Sequence, residues 1–436
     1  MSNFQIGLLG IAALFALLAV RVPIAVALLI ISVAGVWAVR GVTAAFSSIG
    51  TLSFDLSASW TLSAVPMFLL MGAFAFNSGM TMSVYKVFRM WFWWLPGGLA
   101  VATNWASAAF GAISGSSIAV TAVMARIAIP EMLKYHYDKS LATSVVAASG
   151  TIDALIPPSI IFIIYGIQSE TSITDLFLAG VMPGILTGAV YTALIVTRCL
   201  VNRNLAPPAA RDFTSAERRA ATLDSWPLPV LFVGIFVSLY SGATTATEAG
   251  AVSAALALAI ALIRREMTWP IMRKSLIECC ATTASLFFIV IGAAFFARFM
   301  SIAGLPAQLG TLIQQSAISP LAFILMMSVI IILLGMFLEG IGIMLIILPI
   351  IVPLCRQIDI DLIWIGVLVV KLIMIGLLHP PIGLQAFVVK SVVGDQVPLG
   401  TIFRGLVWFL GAEVFVMALL IAFPDISLWL PRQFAR

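Results

Sequence analysis

The sequence predicts an all-α integral membrane protein built as an inverted-topology repeat, with two re-entrant helical hairpins and two broken helices. Three observations carry this expectation. The 436-residue chain is 62% hydrophobic and 9% charged, whereas soluble domains carry about 25% charged residues. Two apolar stretches, 92–130 and 320–355, are too long for one span and are interrupted midway by Gly and Ser or by an acid. Landmarks of the first half also recur in the second at a nearly constant distance.

At about 20 apolar residues per spanning helix, the chain has room for ten or more crossings. Lipid offers no hydrogen bonds, so every backbone group must be satisfied inside the protein. A β-barrel would need short alternating segments, and the unbroken apolar runs exclude it. The net charge of +5 is spread over loops, as positive charge in a membrane protein normally is, and does not indicate nucleic-acid binding. Cys199, Cys279, Cys280 and Cys355 lack metal-ligand spacing, and the adjacent pair is awkward for a disulfide, so they read as packed thiols.

The elements follow in order. Residues 4–20 lack a basic leader and are followed at once by a second apolar run, so they read as a retained helix. Further apolar segments cover 22–40, 62–82, 142–167, 176–200, 227–241, 248–264, 276–300, 363–390 and 404–423. The cluster Trp91-Phe92-Trp93-Trp94 reads as an interfacial belt. The stretches 92–130 and 320–355 read as hairpins that enter the membrane, turn and leave on the same side, which non-helical backbone tolerates only when buried or lining a wet cavity.

Lysine and arginine set the orientation. The polar connection 198–225 holds Arg198, Arg203, Arg211, Arg218 and Arg219 and belongs in the cytoplasm. Arg264, Arg265, Arg273 and Lys274 then fall inside too, with Lys134, Lys139, Lys86 and Arg89. Counting outward places both termini outside, against which Arg432 and Arg436 stand as exceptions.

The internal repeat rests on four landmarks. Pro157-Pro158 and Pro380-Pro381 stand 223 positions apart, and so do Pro130 and Pro353, each expected to close a hairpin. Ser114-Gly115-Ser116-Ser117 falls opposite Phe337-Leu338-Glu339-Gly340 at the same offset, while Phe177 and Gly180 answer Phe403 and Gly405 at 226 and 225. Four spans and one hairpin lie between the two Pro-Pro sites, so the second broken helix runs opposite to the first. That organisation is common in secondary transporters. Proline removes a donor and frees a carbonyl four residues earlier. Ile152-Asp153-Ala154-Leu155 and Ile375-Gly376-Leu377-Leu378 should therefore hold free carbonyls, which are hard oxygen ligands for a small cation. The hairpin tips offer N–H groups and Ser hydroxyls to a carboxylate.

The chain resembles the large membrane subunit of tripartite ATP-independent periplasmic (TRAP) transporters over nearly its whole length. The markers are Arg21-Val22-Pro23, Ser114-Gly115-Ser116-Ser117 through Ile129-Pro130-Glu131-Met132, Tyr137-Asp138 with Leu141-Ala142-Thr143, and Ile156-Pro157-Pro158-Ser159. Leu176-Phe177-Leu178-Ala179-Gly180, Pro183-Gly184, Thr245 with Thr247-Glu248-Ala249, and Pro380-Pro381-Ile382-Gly383 complete the set. The resemblance implies a sodium-coupled importer of small organic acids in the bacterial inner membrane, working by an elevator mechanism and without enzyme activity or an organic cofactor. It also implies a periplasmic binding protein and a small four-helix subunit, the latter expected on a separate chain. A stand-alone sodium/anion symporter of the same plan is the nearest alternative; a channel would also use re-entrant hairpins but usually completes its pore by symmetric assembly, whereas this chain has its symmetry within one subunit, and a membrane enzyme lacks a catalytic constellation.

On this reading 1–91 are scaffold helices, 92–200 the first transport repeat, 201–226 a cytoplasmic linker, 227–319 scaffold and arm helices, 320–423 the second repeat and 424–436 a tail. Substrate is assigned to Ser116, Ser117, Ser159, Glu339, Gly340, His379 and Gly383. Sodium is assigned to Ser114, Gly115, Ser116, Gly150, Thr151 and Asp153 in the first half, and to Leu338, Gly376 and His379 in the second. Pro157, Pro158, Pro380 and Pro381 break the helices. The chain departs from the family at His379 (usually Thr), Met374 (often Glu), Asp153 (usually small), His136 (usually Gly) and Ala246 (often Pro). Asp153 is read as a cation ligand or proton carrier, or as a cap of the broken helix. Glu339 is expected near His379, where the two would pair. Lys371 is expected to snorkel outward, and Glu248 to cap its helix.

Overall fold

The computed structural model describes residues 1–207, 213–316 and 318–434; Arg211 of the linker and Arg436 of the tail lie outside them. The chain opens with α1 (Asn3–Ala19), α2 (Ile24–Arg40), α3 (Val42–Ser57), α4 (Ala64–Asn77) and α5 (Met80–Phe92). Helix α3 is not among the apolar segments expected from sequence, because its run of Ser, Thr and Asp lowers its hydropathy. The structure hides that polarity by back-bonding: Ser48 Oγ donates to the Ala44 carbonyl at 2.7 Å and Thr51 Oγ1 to that of Ser47 at 3.0 Å. The chain bends by 54° between α3 and the 61–77 segment.

A helix–turn–helix follows, α6 (Gly98–Ser114) and α7 (Ser117–Lys134), then the broken pair α8 (Lys139–Ser149) and α9 (Ile160–Ser169), then the long α10 (Ile173–Val201). Helices α11 (Ser215–Asp224), α12 (Pro227–Tyr240), α13 (Ala246–Ile263), α14 (Trp269–Ile302) and α15 (Leu305–Gln315) lead to the second set. That set repeats the same order: α16 (Pro320–Gly335), α17 (Gly340–Gln357), the broken pair α18 (Leu362–Leu378) and α19 (Leu384–Val393), and α20 (Leu399–Ala422), before a terminal α21 (Asp425–Phe434). The two sets interlock: α7 packs on α19 and α17 on α9, while α8 packs on α20 and α18 on α10. Helices α2, α4, α13 and α14 form a neighbouring layer.

Among the described residues, six helices are long and apolar enough to cross a membrane, or seven with the bent pair. This is fewer than the ten crossings that composition allows, because hairpin arms and half-helices are shorter than a full span. Two local expectations are corrected. Pro130 and Pro353 do not close the hairpins but lie inside α7 and α17. The carbonyls of Ile152 and Asp153 are not free: they accept from Leu155 N and Ile156 N at 3.1 and 3.2 Å, and that of Gly376 accepts from His379 N at 3.1 Å. Tight turns replace the helical bonds that the prolines remove. The linker also docks, since Trp91 Nε1 donates to Thr222 Oγ1 on α11 at 3.0 Å and Ser83 Oγ to Asp224 Oδ2 at 2.8 Å.

Candidate functional site

The tip between α6 and α7 is made by residues that can turn a chain sharply. Gly115 adopts φ +65°, which a Cβ disfavours, and its N–H returns to the Gly111 carbonyl at 2.9 Å. Ser116 caps α7, its Oγ accepting from Ala119 N at 3.4 Å, and Ser114 Oγ accepts from Ser116 N at 3.2 Å. Ser117, the first residue of α7, points its hydroxyl the other way and donates to Asp153 Oδ1 at 2.6 Å. The same oxygen lies 3.7 Å from Met374 Sδ on α18, so Ser117 joins both broken helices.

Asp153 sits in the short 3-10 turn Ile152–Ala154 between α8 and α9 and is 3% exposed. Its place depends on Gly111, where an added Cβ would come within 2.9 Å of the Asp153 Cα. The second repeat has the matching contact, for a Cβ on Gly335 would lie 2.7 Å from the Gly376 Cα. Hairpin and break thus touch through glycine in both halves, a pairing not singled out from the sequence. Gly335 answers Gly111 within one position of the repeat offset, and that signal was available.

A cleft brings the two hairpin tips together. Gly115, Ser116, Ser117 and Ile118 line it from one tip and Glu339, Gly340 and Ile341 from the other. Ile160 and Ile161 of α9, Met374 and Leu377 of α18, and Leu69, Thr282 and Leu286 of the neighbouring layer complete the wall. The residues from α7, α17 and α9 all belong to first helical turns, so three helix N-termini face the cleft. Their unpaired N–H groups and dipoles favour an anion there. Glu339 is the N-cap of α17 but makes no capping bond with its side chain, which leaves a carboxylate on the same wall.

Other assigned residues lie elsewhere. Ser159 Oγ accepts from Phe162 N at 3.4 Å and caps α9; Thr151 Oγ1 donates to the Ala148 carbonyl at 2.7 Å; Gly150 ends α8, where an added Cβ would lie 3.1 Å from Thr121 Cβ. Leu338 packs on the apolar core. Gly383 adopts φ +54° as the cap of α19. Pro157-Pro158 and Pro380-Pro381 are joined by cis bonds. His379 does not meet Glu339: its Nδ1 donates to the Pro380 carbonyl at 2.6 Å, and no ion pair joins the two side chains among the described residues. The histidine ring closes its own turn instead of crossing to the other tip. Glu248 caps α13 as expected, with Oε2 accepting from Thr245 N at 2.7 Å.

Lys371 overturns its expectation. It does not snorkel but is 1% exposed, and its Nζ lies 2.6 Å from Glu413 Oε2 on α20 and 3.0 Å from Thr187 Oγ1 on α10. Tyr191 Oη donates to Glu413 Oε1. The pair therefore pins the second broken helix to the last helix of each repeat. Glu413 was not singled out from the sequence, since nothing local connects it to Lys371.

Comparison with known proteins gives a consistent picture. The family described as Tripartite ATP-independent periplasmic transporter, DctM component, matches residues 11–426. The C4-dicarboxylate TRAP transporter large permease protein DctM of Pseudomonas aeruginosa is 35% identical over 87% of this chain and 88% of its own. The 2,3-diketo-L-gulonate large permease YiaN of Escherichia coli is 34% identical over 77% and 78%, and the sialic acid large permease SiaM of Vibrio cholerae 31% over 86% and 87%. Among solved structures, the Alcanivorax borkumensis YdaH transporter matches with a TM-score of 0.57 and 13% identity, covering 90% of each chain. Neisseria gonorrhoeae MtrF matches with 0.59 and 13% identity over 91% of this chain and 85% of its own, a likeness of fold.

Proposed function

This chain belongs to the TRAP transporter family as a DctM component, a multi-pass membrane protein, and from that premise we propose that it imports a small organic anion across the bacterial inner membrane by sodium-coupled secondary transport. The observation that carries the reading is the convergence of three helix N-termini on the cleft between the hairpin tips. N–H groups and Ser hydroxyls suit a carboxylate, and relatives are named for C4-dicarboxylate, sialic acid and diketogulonate. Ser116, Gly340 and the Ser117 N–H bind the anion, while Ser159, His379 and Gly383 support the breaks rather than touch it.

Sodium binds beside Asp153, where the carboxylate and Ser117 Oγ supply hard ligands, while the Ser114 and Ser116 hydroxyls are turned the other way, to the hairpin's own tip. Glu339 balances a second cation, with the carbonyl of Leu338 beside it. The interlocked repeats 92–200 and 320–423 move as one elevator body against 1–91 and 227–319. A periplasmic binding protein delivers the substrate, and a small four-helix subunit braces the scaffold; relatives with DctMQ and SiaT names are permeases of which this chain spans about three fifths.

The test is uptake of labelled succinate, sialic acid and diketogulonate into proteoliposomes holding the chain with its small subunit. Uptake should require both an inward sodium gradient and the cognate binding protein. Uptake without added binding protein would instead identify a stand-alone symporter, and uptake indifferent to sodium would overturn the coupling.

A further inference from the structure

The cleft between the hairpin tips does not end there. Thr282 of α14 lies on its wall, and together with Ser116 and Leu69 it also lines a second cleft, between the first hairpin and the neighbouring layer. That second cleft is bounded by Glu278, one turn before Thr282. Glu278 in turn shares a third, open depression with Arg273 and Lys274. Three clefts thus follow one another along α14, the first two sharing Leu69, Ser116 and Thr282 and the last two sharing Glu278. Helix α14 has 34 residues, about 51 Å, against an apolar bilayer core of about 30 Å. Its basic first turns therefore extend beyond the lipid, on the side where Arg264 and Arg265 also lie.

We propose that this series of clefts, from Ser116 past Thr282 and Glu278 to Arg273 and Lys274, forms the route by which the anion leaves for the cytoplasm, and that Glu278 lowers the anion's affinity for the inward-facing site. The proposal rests on the reading of the chain as an anion importer. The two basic side chains at the mouth draw anions toward it. Left alone they would hold the leaving anion and refill the cleft from the cytoplasm. A fixed carboxylate between mouth and site opposes both. Glu278 is exposed, and its Oε2 accepts from Asn77 Nδ2 at 3.0 Å, with Asn77 also bonded to Ser275 Oγ at 3.1 Å. The carboxylate is therefore held in place on the cleft wall rather than swinging in solvent.

The test needs no knowledge of the substrate. In full-length protein with Cys199, Cys279, Cys280 and Cys355 replaced by Ala, Thr282→Cys places a thiol in the passage. Inside-out vesicles are treated with anionic 2-sulfonatoethyl methanethiosulfonate and with the cationic trimethylammonium analogue. Residues four apart on a helix are about 6 Å apart, and a unit charge at that distance in a watery cleft changes each rate about threefold in opposite directions. Glu278→Gln, which keeps an acceptor for Asn77, should raise the anion-to-cation rate ratio about tenfold. Arg273→Gln and Lys274→Gln should lower it, and Glu278→Asp should leave it unchanged. A thiol at 282 that does not react from the cytoplasmic face, or a ratio unmoved by Glu278→Gln, overturns the proposal. Absence of anion uptake by the parent protein would instead count against the importer reading, because the thiol ratio is measured without substrate.

Discussion

Replacing Lys371 by methionine should destabilise the protein more than any exposed substitution. The change removes the ammonium 2.6 Å from Glu413 Oε2 and leaves that carboxylate in a site where both residues are at most 1% exposed. Breaking a buried pair in this way costs about 3–5 kcal/mol, roughly two to four powers of ten in the folded-to-unfolded ratio. Removing both charges is a different matter. Lys371→Met with Glu413→Gln leaves Tyr191 Oη an acceptor, and Thr187 Oγ1 still donates to the Pro183 carbonyl at 2.8 Å. Replacing a buried pair by neutral groups is often near neutral, so the double variant should recover most of the loss. The assay is a double-mutant cycle of thermal unfolding in detergent, with monodispersity as a second readout; the single variant should melt on the order of 5–10 °C lower. If Lys371→Met melts like the parent, or if the double variant loses the sum of the two single losses, the pair is not the clamp described above.

Ser117→Ala removes the hydroxyl that donates to Asp153 Oδ1; a bond to a charged group contributes about 1.5–3 kcal/mol, so half-saturating sodium in uptake assays should rise roughly tenfold or more, and an unchanged curve would separate Asp153 from the cation. Gly111→Ala and Gly335→Ala force a methyl onto the backbone of Asp153 and Gly376, an overpacking worth about 1–3 kcal/mol; both should depress uptake in protein that still purifies, whereas Gly400→Ala, with nothing within 4 Å of the new methyl, should be silent. Because His379 bonds its own turn and not Glu339, uptake by His379→Thr should match that of the parent at every sodium concentration. A changed sodium dependence for the variant would instead place His379 at a cation site.

The parts of the fold legible in the sequence were those with punctuation. Gly115 and the Pro-Pro pairs mark backbone that cannot continue a helix, and their common offset exposes the repeat. Asp153 and Glu339 stand out because an acid in an apolar run must have a reason to be there. Helix α3 was invisible for the opposite cause: Ser48 and Thr51 satisfy themselves on their own helix, and hydropathy cannot register a hydroxyl that is already bonded. Lys371 was misread because its partner lies on another helix, and hydropathy says nothing about which helices meet. His379 is expected beside Glu339 because the second hairpin tip and the second break lie close together, but that closeness of backbone leaves the ring free to choose a nearer acceptor.

The Lys371–Glu413 contact also bears on how the chain is made. A lysine or an acid at the centre of a span costs about 2.5–3.5 kcal/mol on entering the bilayer, and each of these residues meets that cost in its own helix. Helix α18 is synthesised first and carries its ammonium without a counterion until α20 leaves the ribosome. The growing chain therefore has reason to keep α18 against protein, where Thr187 of the already finished α10 offers its hydroxyl at 3.0 Å, until Glu413 arrives. Assembly of the second half is thereby templated on the first, and a chain truncated between α18 and α20 should remain with the insertion machinery or be degraded.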